Sequence, residues 1–267
     1  MRRAMVIGLM TLAVGAHAGI EGPVFPPPPA EPRLLFEESL HDASDYDRGR
    51  SLLSRLADLV AGGEEPAALT RPHGLACAGD LLLVADPDAG VVHAFDRRDH
   101  RYRRIPTEGR LASPVDAAGT PDGRVLVTDS SSGAVMMFDA EGRELARTDA
   151  VERPAGLAVH ADRVYVADPG AHRVAVFDLD LTPVASFGTR GETEATFNYP
   201  GDVAVSEDGV WVLDSLNFRV CRLTHDGAPV SSFGAQGDVA GSFARPRGLS
   251  LDTDGHLWVS DALHDGV

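Results

Sequence analysis

The stretch RPAGLAVHADRVYVADPGAHRVAVFD, residues 153–178, decides the fold of this chain because the chain contains it in five related copies. The other four copies begin near residues 71, 113, 199 and 245. Each copy has a proline at its second position, and these prolines recur every 40 to 46 residues. Self-similarity at such a period is typical of architectures in which one small unit packs against copies of itself.

Each copy holds two short apolar runs that are joined by a turn such as TPDGR at 120–124 or SEDG at 206–209. Turns of this composition connect antiparallel strands. The second run, for example LLLVAD at 81–86 or RVYVAD at 163–168, is apolar at nearly every position rather than at alternate ones. This pattern predicts a strand that is covered on both faces of its sheet.

A third strand and a weaker fourth strand follow in each complete copy. Four short strands per about 40–45 residues are the signature of a β-propeller blade, which buries its two faces against neighbouring blades. The sequence therefore predicts an all-β fold, a β-propeller of four-stranded antiparallel blades. Five repeats are visible within residues 71–267, and the fifth is incomplete.

The details of the repeat resemble the NHL repeat. They are Pro-x-Gly-Leu-Ala-Val, Val-Tyr-Val-Ala-Asp, and an Arg five residues after the closing Asp, as at Arg173 and Arg219. The connectors SFGTRGETEATFNYP (186–200) and SFGAQGDVAGSFARP (232–246) resemble the NHL connector. The resemblance covers residues 71–267 and implies a six-bladed propeller that belongs to an exported bacterial protein of this family.

The region before the repeats divides into three segments. Residues 1–18 have a basic start, an apolar run and an Ala-x-Ala site, which predicts a signal peptide cleaved after Ala18 and a periplasmic or secreted protein. Residues 19–32 form a proline-rich leader. Within 33–70 we expect a strand at Arg33–Leu40 that completes the last blade as a clasp, and a short helix at Ser51–Val60.

The fifth repeat stops at the start of its third strand, at Val267. An open ring would expose apolar blade faces. We interpret the sequence as a C-terminally truncated piece of a longer propeller. A five-bladed ring that is closed by the N-terminal strand is the alternative.

Composition narrows the function classes. The apolar and charged contents of 43% and 24% are those of a folded protein, and the net charge of −16 argues against nucleic acid and anionic membranes as partners. No stable membrane insertion is expected after signal cleavage. Cys77 and Cys221 form a disulfide or, as we prefer, are two small buried side chains.

By the convention of propellers, the loops between strands two and three and the connectors between blades share one face. We predict a binding face there for a protein or peptide, because arginine and aromatic groups are enriched in such interfaces. The residues concerned are Arg71, His73, Asp116, Arg153, Tyr199, Asp202, Phe218, Arg219, Arg245 and Arg247. Two structural ion pairs are also predicted within blades, Asp168 with Arg173 and Asp214 with Arg219.

The function we expect is that of a non-catalytic scaffold without a cofactor. The family resemblance implies exported multihaem cytochromes as one partner class. The alternative is a zinc- or calcium-dependent lyase or hydrolase, since PHGL at 72–75 resembles part of peptidylamidoglycolate lyase. His73 is then the candidate metal ligand. A zinc site needs three or four ligands, and the matching positions in the other repeats are Val115, Ala155, Gly201 and Arg247.

Overall fold

The structure is a computed structural model that describes residues 7–12, 24–25, 34–40, 68–106 and 108–263. These residues form β-strands and one short 3₁₀ helix, Ser215–Asn217, and no α-helix occurs among them. In the same residues we find no helix with the length and apolar character needed to cross a membrane. The helix that the sequence predicts at Ser51–Val60 lies outside the described residues.

Three strands precede the repeats and form one antiparallel sheet. They are β1 (Ile7–Leu12), β2 (Val24–Phe25) and β3 (Leu34–Leu40), with β3 in the middle. β1 lies within the predicted signal peptide, so that cleavage after Ala18 would remove it from the sheet.

The repeats fold into blades whose strands are neighbours in chain order, each paired antiparallel with the next. Blade 1 contains β4 (Leu75–Ala78), β5 (Leu81–Asp86), β6 (Val91–Asp96) and β7 (Arg101–Ile105). Blade 2 contains β8 (Pro114–Gly119), β9 (Val125–Asp129), β10 (Ala134–Phe138) and β11 (Glu144–Thr148). Blade 3 contains β12 (Leu157–His160), β13 (Arg163–Asp168), β14 (Arg173–Asp178) and β15 (Pro183–Phe187). Blade 4 contains β16 (Pro200–Ser206), β17 (Gly209–Asp214), β18 (Arg219–Leu223) and β19 (Pro229–Phe233). Blade 5 has two described strands, β20 (Pro246–Leu251) and β21 (Leu257–Asp261).

The second strand of each blade shows why its sequence is apolar at nearly every position. In blade 2, Val127 belongs to the core that also contains Leu83 of blade 1. Its neighbour Leu126 points to the other face of the sheet and packs with Val164 of blade 3. Each blade therefore buries its two faces against two different neighbours, and the predicted propeller fold is confirmed.

The face of blade 1 that has no preceding blade is covered in part by the N-terminal sheet. Leu40, at the end of β3, is buried against Leu69, Leu82, Val84 and Phe95. A strand is present where the clasp was predicted. Among the described residues, however, it pairs with β1 and β2 and not with blade 5, and it contacts blade 1 through Leu40.

The two cysteines differ in exposure, and both are free thiols. Cys221 lies in the core between blades 3 and 4, and burial raises the pKa of its thiol to about 11. Cys77 is exposed, because it belongs to the first strand of blade 1, which no preceding blade covers among the described residues. The interpretation as buried apolar side chains is therefore correct for Cys221 and wrong for Cys77.

Candidate functional site

Five buried aspartates, which we call the closing aspartates, build one face of the propeller. They end the second strand of each blade and are Asp86, Asp129, Asp168, Asp214 and Asp261. Each accepts backbone N–H groups from the connector that enters its own blade. The connectors and the hairpins after strand two are therefore held together at one end of the blades, and we call this end the loop face.

Asp86 illustrates the electrostatics of the closing aspartates. Its carboxylate accepts the N–H groups of Thr70 at 2.6 Å, Arg71 at 3.1 Å and Ala89 at 3.0 Å, and Nε2 of His93 lies 3.5 Å from Oδ2. Burial acts to raise the pKa of Asp86, but the His93 imidazole and the three N–H groups outweigh it and lower the pKa to about 2. The carboxylate is therefore an anion in the folded protein at neutral pH.

In blades 3 and 4 an arginine adds a charge to this arrangement. Arg173 Nε lies 3.2 Å from Asp168 Oδ2, and Arg219 Nε lies 2.9 Å from Asp214 Oδ2, so both pairs form within their blades. The Arg219 guanidinium also donates to three backbone carbonyls of the preceding connector, and its side chain is only 15% exposed. Arg219 is thus a structural residue and not, as the sequence suggested, part of a binding face.

A partly exposed cluster on the loop face, which we call the aromatic patch, is formed by His172, Tyr199 and Leu216. Tyr199 is 41% exposed and Leu216 51% exposed. The Tyr199 ring meets the His172 ring edge-on, with 4.8 Å between their centroids. The backbone N–H of Tyr199 donates a hydrogen bond to His172 Nδ1 at 3.3 Å. The Ser215 N–H donates to the Tyr199 carbonyl and the Leu216 N–H to the Asn198 carbonyl, which hold Leu216 beside Tyr199.

Sequence reasoning found Tyr199 and missed its two partners. The sequence did contain one sign of the patch. Leu216 is an apolar residue in a tight hairpin, at the position where blade 3 has Gly170. Phe218, which the sequence placed on the binding face, is instead half-buried against the core between blades 4 and 5.

The arginines of the loop face differ in how they are engaged. Arg71 forms an exposed ion pair with Asp88 at 3.1 Å. Arg153, Arg245 and Arg247 are exposed, and their guanidinium groups have no hydrogen-bond or ion-pair partner within the described part of the chain. These three guanidinium groups lie on blades 3 and 5, on either side of the aromatic patch.

A second arrangement lines the channel where the first strands begin. The fourth position of each repeat alternates between glycine and aspartate around the propeller. We call these residues the inner ring: Gly74, Asp116, Gly156, Asp202 and Gly248.

The inner ring joins neighbouring blades. Asp116 Oδ2 accepts the Leu157 N–H at 3.0 Å, and Asp202 Oδ2 accepts the Leu249 N–H at 2.7 Å. A Cβ atom at Gly74 would overlap the carboxylate and the Cα atom of Asp116, and one at Gly156 would overlap those of Asp202. The close approach of the next blade at each aspartate therefore requires glycine in the preceding blade.

The two inner-ring carboxylates resist ionisation. Burial, and next the negative charge of Asp202, raise the pKa of Asp116 well above its usual range, and burial raises the pKa of Asp202 to about 7. Both residues are half-buried. The raised pKa values favour the protonated form of both carboxyls, which is the state that a general acid requires.

His73 lies at the mouth of the same channel. Its Nδ1 is 3.0 Å from the carbonyl oxygen of Val115 in the next blade, and its ring is exposed. In the described ranges of the chain, no three His, Cys, Asp or Glu side chains converge closely enough to hold a metal ion.

The structure thus divides the ten predicted binding-face residues into three groups. The exposed group consists of Arg71, His73, Arg153, Tyr199, Arg245 and Arg247. The channel group consists of Asp116 and Asp202. The structural group consists of Phe218 and Arg219.

Comparison with solved structures agrees with this architecture. The chain is similar to a streptogramin B lyase (TM-score 0.58, 16% identity, 73% of this chain and 63% of that one). The chain is a β-propeller. It is also similar to the hydrazine synthase of Kuenenia stuttgartiensis (TM-score 0.58, 20% identity, 73% and 56%) and to a gluconolactonase of Xanthomonas campestris (TM-score 0.57, 18% identity, 73% and 72%).

The likeness to these structures, all less than 25% identical to the chain, shows the fold alone. The chain spans less than two thirds of the length of the lyase and of the hydrazine synthase. No protein-family model and no curated protein sequence matches the chain. Assignment to the NHL-repeat family therefore stays a prediction.

Proposed function

We propose that this propeller is a recognition module that binds an acidic segment of a protein or peptide on its loop face. The observation that carries the proposal is the aromatic patch, with Tyr199 and Leu216 exposed on blade 4 and free arginines on both sides. Arg153 lies on blade 3, and Arg245 and Arg247 lie on blade 5.

Two physical arguments support an acidic partner. Exposed arginine guanidinium groups bind carboxylates with paired hydrogen bonds, and tyrosine supplies apolar area at a small entropic cost. The chain as a whole carries a net charge of −16 and repels acidic molecules, so the arginines concentrate attraction at one place. Such an arrangement favours selective docking over general adhesion.

The preorganisation of Tyr199 supports the same function. Its backbone has φ 57°, in the left-handed region that non-glycine residues seldom occupy, and His172 and Ser215 hold it there by hydrogen bonds. An aromatic side chain fixed before binding loses little conformational freedom on binding.

The test uses fluorescence-labelled synthetic peptides of matched length that are rich in Glu, rich in Ser or rich in Arg. We expect the acidic set to bind most tightly, with affinity that falls as salt rises. The triple variant R153A/R245A/R247A should weaken binding of the acidic peptide at least about tenfold. Tyr199→Ala should weaken it by a similar factor but leave the salt dependence of the affinity unchanged. Arg98→Ala, on an exposed turn at the opposite end of blade 1, is the matched control. Equal binding of the three peptide sets would contradict the proposal.

We also propose that the protein acts outside the cytoplasm, after removal of residues 1–18, and that exported multihaem cytochromes are the first partners to test. N-terminal sequencing of the mature protein should begin at Gly19. A chain that keeps Met1 in the cell would contradict this location.

A second candidate function is a lyase or hydrolase that works in the channel and depends on zinc or calcium. The observation that favours it is the pair Asp116 and Asp202, two half-buried carboxylates with raised pKa values at the starts of the first strands. Similar solved structures include a streptogramin B lyase and a gluconolactonase. Stoichiometric zinc or calcium in the purified protein, lost on His73→Ala, would favour this candidate over the recognition module.

A further inference from the structure

A groove runs along the side of the propeller where the connector from β7 to β8 passes over the outer strands of blade 2. It holds a cavity of about 720 Å³, which lies within the range of about 300–1,000 Å³ that is typical of ligand-binding sites. The floor of the groove is apolar, because Met136 and Phe138 of β10 and Leu111 of the connector lie there.

The equivalent groove of blade 4 shows what fills this space elsewhere in the chain. The cavity beside β18 and β19 is only about 50 Å³, and residues Glu194 and Ala195 of the connector from β15 to β16 cover it. Ala195 packs against the core between blades 3 and 4. That connector has twelve residues, 188–199, whereas the connector over blade 2 has eight, 106–113. The groove that polypeptide fills in blade 4 is therefore left open in blade 2.

The two blades also differ in how they hold a connector. Arg219 donates to the carbonyls of Glu192, Thr193 and Thr196, which fixes the long connector in the groove of blade 4. The same repeat position in blade 2 is Ala134, whose side chain has no donor. The groove of blade 2 thus lacks both the extra residues and the arginine that would hold them.

The charges at the rim of the groove indicate the chemistry of an occupant. Glu144 lies beside Phe138 across the β10–β11 pair, and Glu108 lines the groove from the connector. Both carboxylates are exposed, and neither has a hydrogen-bond or ion-pair partner within the described ranges. The charge that remains for a ligand is negative, so it favours a cationic side chain.

The arginines of the rim do not cancel this charge, because each is engaged within the chain. They are Arg143 with Asp139 and Glu141, Arg147 with Asp149, and Arg110 with the carbonyls of Asp88 and Ala89.

We propose that the groove binds a short basic segment of a partner polypeptide, with a lysine or arginine side chain at Glu108 or Glu144. Small residues of the segment lie along Met136 and Phe138, as Ala195 does in the groove of blade 4. About four residues of extended chain, or ~13 Å, make up the difference in connector length. The site lies apart from the aromatic patch, and its charge preference is opposite to that of the loop face.

The experiment titrates the full chain with three acetylated and amidated hexapeptides in a calorimeter at low ionic strength. The first has the connector sequence of residues 191–196, GETEAT, and the other two are GSTSAT and GKTKAT. We expect GKTKAT to bind at least about fivefold more tightly than GETEAT, because its lysines meet the two free carboxylates. The charge-reversed variant E108K/E144K should bind GETEAT more tightly than GKTKAT.

Two variants separate the groove from other basic or acidic surfaces. E207K/D254K makes the same change in net charge at exposed turns of blades 4 and 5, and it should keep the preference for GKTKAT. R153A/R245A/R247A, which removes the arginines of the loop face, should also keep it. Loss of the preference in E207K/D254K would indicate general charge attraction, and loss of binding in the arginine variant would place the peptide on the loop face. Either result would overturn the proposal.

A further variant fills the groove. Insertion of Gly-Glu-Thr-Glu between Gly109 and Arg110 gives this connector the length found in blade 4, and it should remove binding of GKTKAT. Undiminished binding by a folded insertion variant would overturn the proposal. Equal affinity for the three hexapeptides, or the same preference in E108K/E144K as in the unmodified protein, would also overturn it. Circular dichroism of each variant checks that it is folded.

Discussion

Two sets of buried aspartates in this propeller behave in opposite ways. At the loop face, the pKa of Asp86 falls to about 2, while in the channel the pKa of Asp202 rises to about 7. Both carboxylates are taken out of bulk water, so burial alone does not decide their charge. The difference lies in what surrounds them. Asp86 has three N–H donors from other parts of the chain and an imidazole, whereas Asp202 has one from another blade and lies close to Asp116.

The contrast explains what each set does. The closing aspartates are anions that hold loops, and they recur in every blade because every connector has the same unpaired N–H groups. The inner-ring aspartates join blades at alternate positions, and the protonation of Asp202 responds to pH near neutrality. Three predictions test this comparison, in order of decreasing effect.

Removal of a closing aspartate should lower the free energy of unfolding the most. Asp214→Ala leaves the Arg219 guanidinium and the Asn198 N–H without their acceptor, and we expect a loss of about 3 kcal/mol in the free energy of unfolding. Urea denaturation measures it. Asp254→Ala, at an exposed turn of blade 5, is the control and should change stability by less than about 0.5 kcal/mol. A loss below about 1 kcal/mol for Asp214→Ala would show that the carboxylate does not hold the loop.

Adding a methyl group to the inner ring should lower the free energy of unfolding by an intermediate amount. Gly156→Ala places a Cβ atom where the Asp202 carboxylate lies, and we expect a loss of about 2 kcal/mol from overpacking. In an Asp202→Ala background the same substitution should cost less, because the overlapping Oδ1 and Cγ atoms are gone and only the Cα atom, 2.8 Å from the Cβ position, remains. The two costs, measured by urea denaturation as a double-mutant cycle, would be equal if the glycine were required for another reason.

The pH dependence should give the smallest effect on stability for one pH unit, and the most specific one. Asp202 has a folded pKa of about 7, above the ordinary value of 3.8, so the folded state binds more protons than the unfolded state between these values. Its contribution to stability is therefore present at low pH and is lost as pH rises from about 4 to 7.

Asp202→Asn removes the titrating group. Between pH 5 and 7 we expect the stability of the unmodified protein to fall relative to this variant by up to about 1.4 kcal/mol per pH unit. Unfolding curves at pH 5, 6 and 7 measure the slope. Parallel curves for the two proteins would mean that Asp202 is ionised throughout this range.

The sequence predicted the blades and the closing aspartates because both repeat. A feature that every unit needs, such as the Asp at the end of strand two, recurs in register and is visible without a structure. The sequence was less informative about Arg219 and Phe218, which share the loop region with Arg245 but point into the blade. The repeat pattern shows that a residue lies on a loop, but the direction of its side chain depends on packing between the blades.

The N-terminal strand shows the same limit. An apolar strand at 33–40 was predicted because its residues have the pattern of this repeat type. Its partners, β1 and β2, have no such repeat signature, so sequence alone did not indicate that pairing.

The sequence by itself determined the four-stranded unit, its repetition and the burial of both sheet faces, since strand period and turn chemistry are local properties. Only the tertiary structure decided which side chains meet across blades. Asp202 and Gly156, or His160 and His225, are tens of residues apart, and no local pattern relates them. Their contacts arise because successive blades pack face to face, which brings equivalent positions of different repeats to the same height in the ring.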